Sequence, residues 1–213
     1  MANKNGEERL TKEEIIQRFR RREILRAARE VFAESGFEDT TMDKIAERAG
    51  ISKGTLYLYF KSKGDLLIQA IAEIMNTVYE MAERVLKADV SPLEKVKLWI
   101  SETMNYFEQN RSFFRVLQNI SGKVHIESME EEIKKLMRRP IEVYALVGKI
   151  LEDGIKEGKL VDVSPTRLGA VLTKIIEGVL ICRINDKEVR PISEDIELVY
   201  QAFINGVGRK EMG

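Results

Sequence analysis

The chain has 213 residues, 44% hydrophobic and 33% charged, a composition that fits a folded protein with a sizeable core and excludes a disordered chain. Its 35 Lys+Arg balance 35 Asp+Glu, yet residues 1–64 carry 14 basic against 11 acidic groups and residues 65–213 carry 21 against 24. The basic excess at the N-terminal end permits a nucleic-acid partner that the average charge hides.

The N-terminal stretch is polar and lacks the apolar region of a secretory leader. No apolar run approaches the roughly 18 residues that span a bilayer. The single cysteine, Cys182, cannot form an internal disulfide, and its apolar helical surroundings read as those of a small buried hydrophobe. A cytoplasmic protein without a membrane partner is expected.

Residues 1–17 read as a flexible arm. A first helix is expected from about Arg18 to Ser35, because Ile24, Ala27, Ala28, Val31 and Phe32 recur at helical spacing and Gly36 stands at the stop. Arg18, Arg20, Arg21 and Arg22 form a basic cluster at its start, either a solvated helix end or an arm that grips phosphate. A short second helix begins at Thr40 or Thr41, whose hydroxyl can cap its first turn, and buries Met42, Ile45, Ala46 and Ala49. Gly50 supplies a positive φ, Ile51 fills the corner and Ser52 caps a third helix through Phe60. This is a helix-turn-helix over about 41–60, whose second member reads a major groove.

On that third helix Leu56 and Phe60 fall together and face inward, leaving a small, hydroxyl-edged outer face. Ser52 and the helix N-terminus suit a phosphate, and Gly54 lets a backbone approach. Thr55 can meet a base edge and Leu58 a thymine methyl, while Tyr57, Tyr59 and Lys63 reach phosphates. With Thr41 and Lys53, these residues make up the expected DNA-contacting set.

A fourth helix starts at Ser62, capped by Asp65, and runs to about Ala88. Serine caps followed by proline start helices near Pro92 and Pro165. Between them lie a helix from about Arg111 to Ile120, an irregular stretch near Gly122 to Ile126 that holds His125, and a helical pattern from about Glu127 to Lys156. Pro140 is expected to kink or split that pattern. Ser193 caps a last helix ending near Gly206. The fold class expected is all-α, with roughly nine helices.

The stretch Gly36 to Leu67, "GFEDTTMDKIAERAGISKGTLYLYFKSKGDLL", closely resembles the DNA-binding region of the TetR family of transcriptional repressors. Phe37, Thr41, Ile45, Ala46, Ala49, Gly50, Ser52, Gly54, Thr55, Leu56, Tyr57, Tyr59, Phe60, Lys63 and Leu66 match its pattern in order, with Ile51 in place of a valine. The resemblance covers roughly residues 18–78. It implies a DNA-binding domain there, and a divergent helical domain over 79–213 that dimerises and encloses a small-molecule pocket.

The C-terminal sequence suits both roles. The helix from Pro165 carries Leu168, Val171, Leu172, Ile175, Val179 and Cys182 on one side and Ile176, Leu180 and Ile184 on another; the last helix carries Ile196, Val199, Tyr200, Phe203, Ile204 and Val207. A homodimer seam through Ile176, Leu180, Ile184, Ile196, Tyr200 and Phe203 is expected, with Gly169, Gly178 and Gly206 allowing close approach. A pocket for an apolar or aromatic effector is expected among Met75, Val78, Tyr79, Trp99, Met104, Phe107, Phe114, Met137 and Tyr144.

A single histidine cannot supply the paired ligands of a di-iron or zinc bundle, and no Ser-His-Asp set, phosphate-binding loop or dinucleotide fingerprint occurs. No enzyme, metal site or cofactor is therefore expected. The function expected is a repressor on palindromic operator DNA, released by a small, mostly apolar ligand. The alternative is a DNA binder with a protein partner or a nucleoid-organising role. A walled cavity among the fourth to eighth helices favours the first, and a collapsed core the second.

Overall fold

The computed structural model describes residues 11–120, 130–186 and 190–207, with the backbone alone at residues 120, 130–140 and 207. The described residues form nine helices and no strand: α1 (Lys12–Ser35), α2 (Met42–Arg48), α3 (Lys53–Tyr59), α4 (Lys63–Leu86), α5 (Pro92–Gln109), α6 (Arg111–Ile120), α7 (Glu130–Lys156), α8 (Pro165–Asn185) and α9 (Ile192–Val207). They divide into two compact units, Met1–Ile71 and Ala72–Gly213, with α4 continuous from one to the other. No described helix is long and apolar enough to cross a membrane.

In the first unit α1 packs on α2 and α2 on α3. Ile24, Ala28 and Phe32 of α1, Ile45 of α2 and Leu56 of α3 are fully buried. Gly36 and Gly50 both adopt positive φ, 73° and 64°, a region that L-residues with a Cβ avoid. At the second of these turns Ile51 N–H donates to Ala46 O at 3.0 Å, which sets the angle between α2 and α3.

Helix α1 begins at Lys12, so Lys12–Gln17 is helix and not arm. A full capping box starts it: Thr11 Oγ1 accepts from Glu14 N–H and Glu14 Oε2 accepts from Thr11 N–H at 2.8 Å. The extra turns expose Ile15, Ile16 and Phe19.

In the second unit α7 packs along α8, α5 contacts α7, α8 and α9, and α8 meets α9. Gly148 and Gly169 let α7 and α8 touch: a Cβ on Gly169 would lie 2.7 Å from Gly148 N and clash with Tyr144 O. Gly178 and Gly206 have nothing near them, so they create no close approach within the chain. Helix α7 is unbroken through Pro140. The stretch expected to be irregular, with His125, lies outside the described residues.

One buried ion network ties this unit together. Arg183, 4% exposed, donates to Glu108 Oε2 at 2.8 Å, to Asp195 Oδ2 at 2.7 Å and to Arg190 O at 2.7 Å. It joins α5, α8 and the start of α9. The guanidinium holds the Glu108 carboxyl below the usual carboxylate range, and Glu108, ahead of Asp195, raises the pKa of Arg183.

The dimer seam expected from sequence is not at the surface. Ile176, Leu180, Ile184 and Phe203 are 2%, 3%, 3% and 0% exposed, and Ile196 and Tyr200 are half-buried against the same core. The face of α8 that turns inward is the stripe Leu168, Leu172, Ile176, Leu180, at four-residue spacing. The outward face carries Val171, Gly178, Ile181 and Cys182, and α9 presents Leu198, Ala202 and Gly206. Cys182 is exposed and so is not the buried hydrophobe expected.

Candidate functional sites

Three serine and threonine caps shape the first site. Thr41 Oγ1 accepts from Lys44 N–H at 3.3 Å, Ser52 Oγ from Thr55 N–H at 3.1 Å and Ser62 Oγ from Asp65 N–H at 3.1 Å. Thr40 does not cap; it is buried, and its hydroxyl donates to Gly36 O at 2.6 Å. With α3 fixed at its start, Leu56 is buried, while Leu58 is 84% and Tyr57 48% exposed. Ser52, Lys53 and Gly54 are also exposed, with Thr55 and Tyr59 half-buried at the flanks. The outer face of α3 is thus short, uncluttered and aromatic-edged, the shape a major groove accepts.

Not every polar group assigned to DNA is idle in the free protein. The Thr55 hydroxyl lies 2.8 Å from Ser52 Oγ. Lys53 Nζ pairs with Asp43 Oδ2 at 2.8 Å, and Asp43 raises the lysine's pKa. Lys63 Nζ donates to Glu38 O at 2.9 Å and lies 4.6 Å over the Phe37 ring. Lys63 therefore pins the turn between α1 and α2, a role the sequence pattern did not disclose. Arg21 is a second pin: it donates to Tyr59 O at 3.4 Å and lies 4.6 Å over the Phe60 ring, at the C-terminus of α3. Of the N-terminal arginines, Arg18, Arg20 and Arg22 are exposed.

The second site is a cavity of about 260 Å³ in the second unit. It is lined by Ile74, Met75 and Val78 of α4, by Trp99, Thr103, Tyr106 and Phe107 of α5, by Phe114 of α6, by Val143 and Tyr144 of α7, and by Thr173, Ile176, Glu177 and Leu180 of α8. The wall is almost wholly apolar. Phe107 and Phe114 stack across the turn between α5 and α6, centroids 3.8 Å apart and planes 17° from parallel.

Six residues expected at a pocket line it: Met75, Val78, Trp99, Phe107, Phe114 and Tyr144. Two do not. Met104 is fully buried core, off the α5 stripe Trp99, Thr103, Tyr106, Phe107, and Tyr79 packs half-buried against the core. The side chain of Met137 lies outside the described residues. Ile176 and Leu180, assigned by pattern to a dimer seam, are cavity wall. Ile74, Thr103, Val143, Thr173 and Glu177 were missed, the three polar ones because a helical pattern treats them as surface.

No group of three or more metal-ligating side chains occurs among the described residues. The two sites together define a class: a helix-turn-helix unit that reads duplex DNA, joined by one continuous helix to a helical unit with an apolar cavity.

Comparison with known proteins narrows the class. Residues 24–70 match the family model for bacterial regulatory proteins of the tetR family. The fatty acid metabolism regulator protein of Bacillus subtilis is 28% identical over 190 residues, 88% of this chain and 95% of that protein. The regulator RutR of Escherichia coli K12 is 28% identical over 152 residues, 70% of this chain and 68% of that protein. Among solved structures, FadR from Bacillus subtilis in complex with stearoyl-CoA matches with a TM-score of 0.70 at 23% identity, over 87% of this chain and 98% of that one, a likeness of fold. Residues 24–70 are thus a TetR-type DNA-binding region, and over most of its length the chain is similar to transcriptional regulators.

Proposed function

We propose that this protein is a repressor that binds a palindromic or pseudo-palindromic operator as a homodimer and is released by a small, mostly apolar effector held in the cavity of the second unit. The cavity carries the reading. An apolar void of this size forfeits dispersion contacts along its lining, and a bound apolar molecule would restore them. A DNA binder with only a protein partner has no need of it.

Helix α4 supplies the coupling. Its first turn holds Lys63 in the DNA-reading unit, and Met75 and Val78, further along the same rod, are cavity wall. An effector wedged beside them shifts the rod and moves the two recognition helices of a dimer out of register with successive major grooves, about 34–36 Å apart. A hundredfold loss of operator affinity requires only about 2.7 kcal/mol of differential binding. The dimer seam of this proposal is the outward face of α8 and α9, around Val171, Ile181 and Leu198, 47%, 51% and 56% exposed.

Acyl thioesters are the first effectors to test, since the Bacillus subtilis structure holds stearoyl-CoA. Footprinting on the protein's own upstream DNA supplies the operator, and its affinity is then measured against acyl-CoA thioesters of increasing chain length. At least one member of the series should weaken operator binding about tenfold or more, and operator should weaken its binding by the same factor. A thioester that binds equally well with and without operator would leave a constitutive DNA binder.

A further inference from the structure

Trp99 is the chain's only tryptophan, it is 1% exposed, and its indole Nε1 is buried without a hydrogen-bond partner. Thr103 Oγ1, one helical turn further along α5, is buried and equally unpartnered. Both side chains line the cavity. Orphaned buried polar groups are uncommon in native proteins because each carries an uncompensated loss of hydration. Two on one helix stripe, some 5–6 Å apart at Cβ, in the wall of one cavity, call for a common explanation.

We infer that Trp99 Nε1–H and the Thr103 hydroxyl form a donor pair that selects effectors carrying an uncharged hydrogen-bond acceptor, such as a ketone, ester, thioester or amide carbonyl, on an apolar body. This rests on the cavity's being the effector site. The indole N–H can only donate, so the ligand atom that meets it must accept. A carbonyl oxygen has two lone pairs and can take both donors. Burial has already taken both donors out of bulk water, so an acceptor that seats against α5 gains the bonds without that cost.

Charge separates a carbonyl from a carboxylate. Among the described residues lining the cavity no Lys, Arg or His occurs, and the one carboxyl side chain is Glu177. The nearby ammonium of Lys174 is engaged, 2.5 Å from Glu177 Oε2. A carboxylate entering this wall would lose its hydration with no counter-charge and would face Glu177. Of the other polar side chains in the wall, Thr173 has its hydroxyl committed to Gly169 O at 2.9 Å, and Tyr106 and Tyr144 bring hydroxyls but no cation.

Acetophenone, cumene and benzoate have the same number of non-hydrogen atoms and differ in this one respect: neutral acceptor, none, or charged. Their affinities for the full-length protein are measured by calorimetry at pH 7, with wild type, Thr103→Val and Trp99→Phe. Thr103→Val should cost acetophenone about tenfold in affinity and leave cumene within about twofold. Trp99→Phe should act in the same sense, and benzoate should bind wild type at least about tenfold more weakly than acetophenone. Because the chain has one tryptophan, its indole N–H gives one proton–nitrogen NMR resonance; acetophenone should move it downfield and cumene should not. Thr103→Val should not lower the thermal midpoint, since it removes an unpaired hydroxyl, so lost binding cannot be lost folding. Equal losses for acetophenone and cumene, or an indole resonance that responds to both alike, would overturn the donor pair and leave the cavity an effector site. Benzoate binding as tightly as acetophenone would overturn the requirement for a neutral group. Failure of all three probes to bind wild type would overturn the inference together with the effector site beneath it.

Discussion

The two units differ in how far along the chain their decisive contacts reach. In the DNA-reading unit the helix starts are set by side chains three residues from their partners: Thr11 with Glu14, Thr41 with Lys44, Ser52 with Thr55, Ser62 with Asp65. The tight turns are set by single glycines at positive φ, Gly36 and Gly50. In the second unit the decisive contacts join distant residues: Arg183 to Glu108, Gly169 to Gly148, and a cavity wall drawn from α4, α5, α6, α7 and α8. Short-range chemistry builds a surface that reads a fixed partner, and long-range packing builds an interior free to fit a variable one.

The sharpest way to break this comparison is at Arg183. Arg183→Met leaves buried Asp195 without its cation and Glu108 with Arg111 alone, at 3.9 Å, and removing one partner of a buried pair costs about 3–5 kcal/mol. Denaturant unfolding followed by circular dichroism should show that loss. A variant as stable as wild type would mean that the network is ornamental. The same network gives a pH dependence. Glu108 has a pKa lowered chiefly by its hydrogen bonds from Arg183, so its stabilising contribution is whole above the unfolded carboxylate value of about 4.3 and is lost as pH falls through the lower native value. Wild-type stability should therefore fall in acid below about pH 4. Glu108→Gln should flatten that fall.

Next in size is the exchange of faces on α8 and α9. Phe203→Glu puts a charge into a fully buried site, so the expected result is unfolding of the second unit. Ile181→Glu, on the outward face, should keep its helical signal and thermal midpoint but sediment as a monomer at micromolar concentration. If Ile181→Glu remains dimeric, the seam lies elsewhere.

These two variants mark where legibility in the sequence stops. The nine described helices, most of their caps and the outer face of α3 are readable, because each follows from residues within one or two turns; Ser193, expected as the last cap, instead lies inside α9, and Ser164 starts α8 without a side-chain bond. Helix α1 is a partial exception: Thr11 and Glu14 spell out its capping box, but the apolar pattern starts only at Ile24, since Ile15, Ile16 and Phe19 face outward. In α8 the pattern finds two apolar faces and cannot say which turns inward, for Ile176 and Ile181 are chemically alike. Only packing against α5 and α7 decides. The same limit hid Thr103 and Thr173, whose polarity suggests solvent, and the inward turn of Arg21 and Lys63, whose partners lie 38 and 25 residues away.

Lys63 tests whether a residue of the DNA-reading unit can serve both purposes. Its contacts with Glu38 O and the Phe37 ring are together worth about 1 kcal/mol, so Lys63→Ala should lower thermal stability slightly. If the ammonium also reaches phosphate, the slope of log affinity against log salt should flatten by about one unit on every duplex sequence. A lower midpoint with an unchanged slope would make Lys63 a pin alone. Leu58→Ala, by contrast, should change which base is preferred under one half-site position and leave the slope unchanged.

The smallest effect expected is also the one that most directly asks what the exposed face of α3 does. Lys53 and Asp43 pair at 2.8 Å with both side chains more than half exposed, at 53% and 65%, so the pair contributes little to stability in water. On DNA the balance changes, because a phosphate competes with Asp43 for the ammonium while the carboxylate itself repels the backbone. Asp43→Asn frees the lysine and removes the repulsion. The variant should melt within a degree or so of wild type, yet bind operator several-fold more tightly with a salt slope steeper by about one unit. Gel-shift titrations at three salt concentrations are enough to measure it. An unchanged slope would show that Lys53 already leaves Asp43 for phosphate in the wild-type complex, and a weaker complex would show that Asp43 holds Lys53 where the recognition helix needs it.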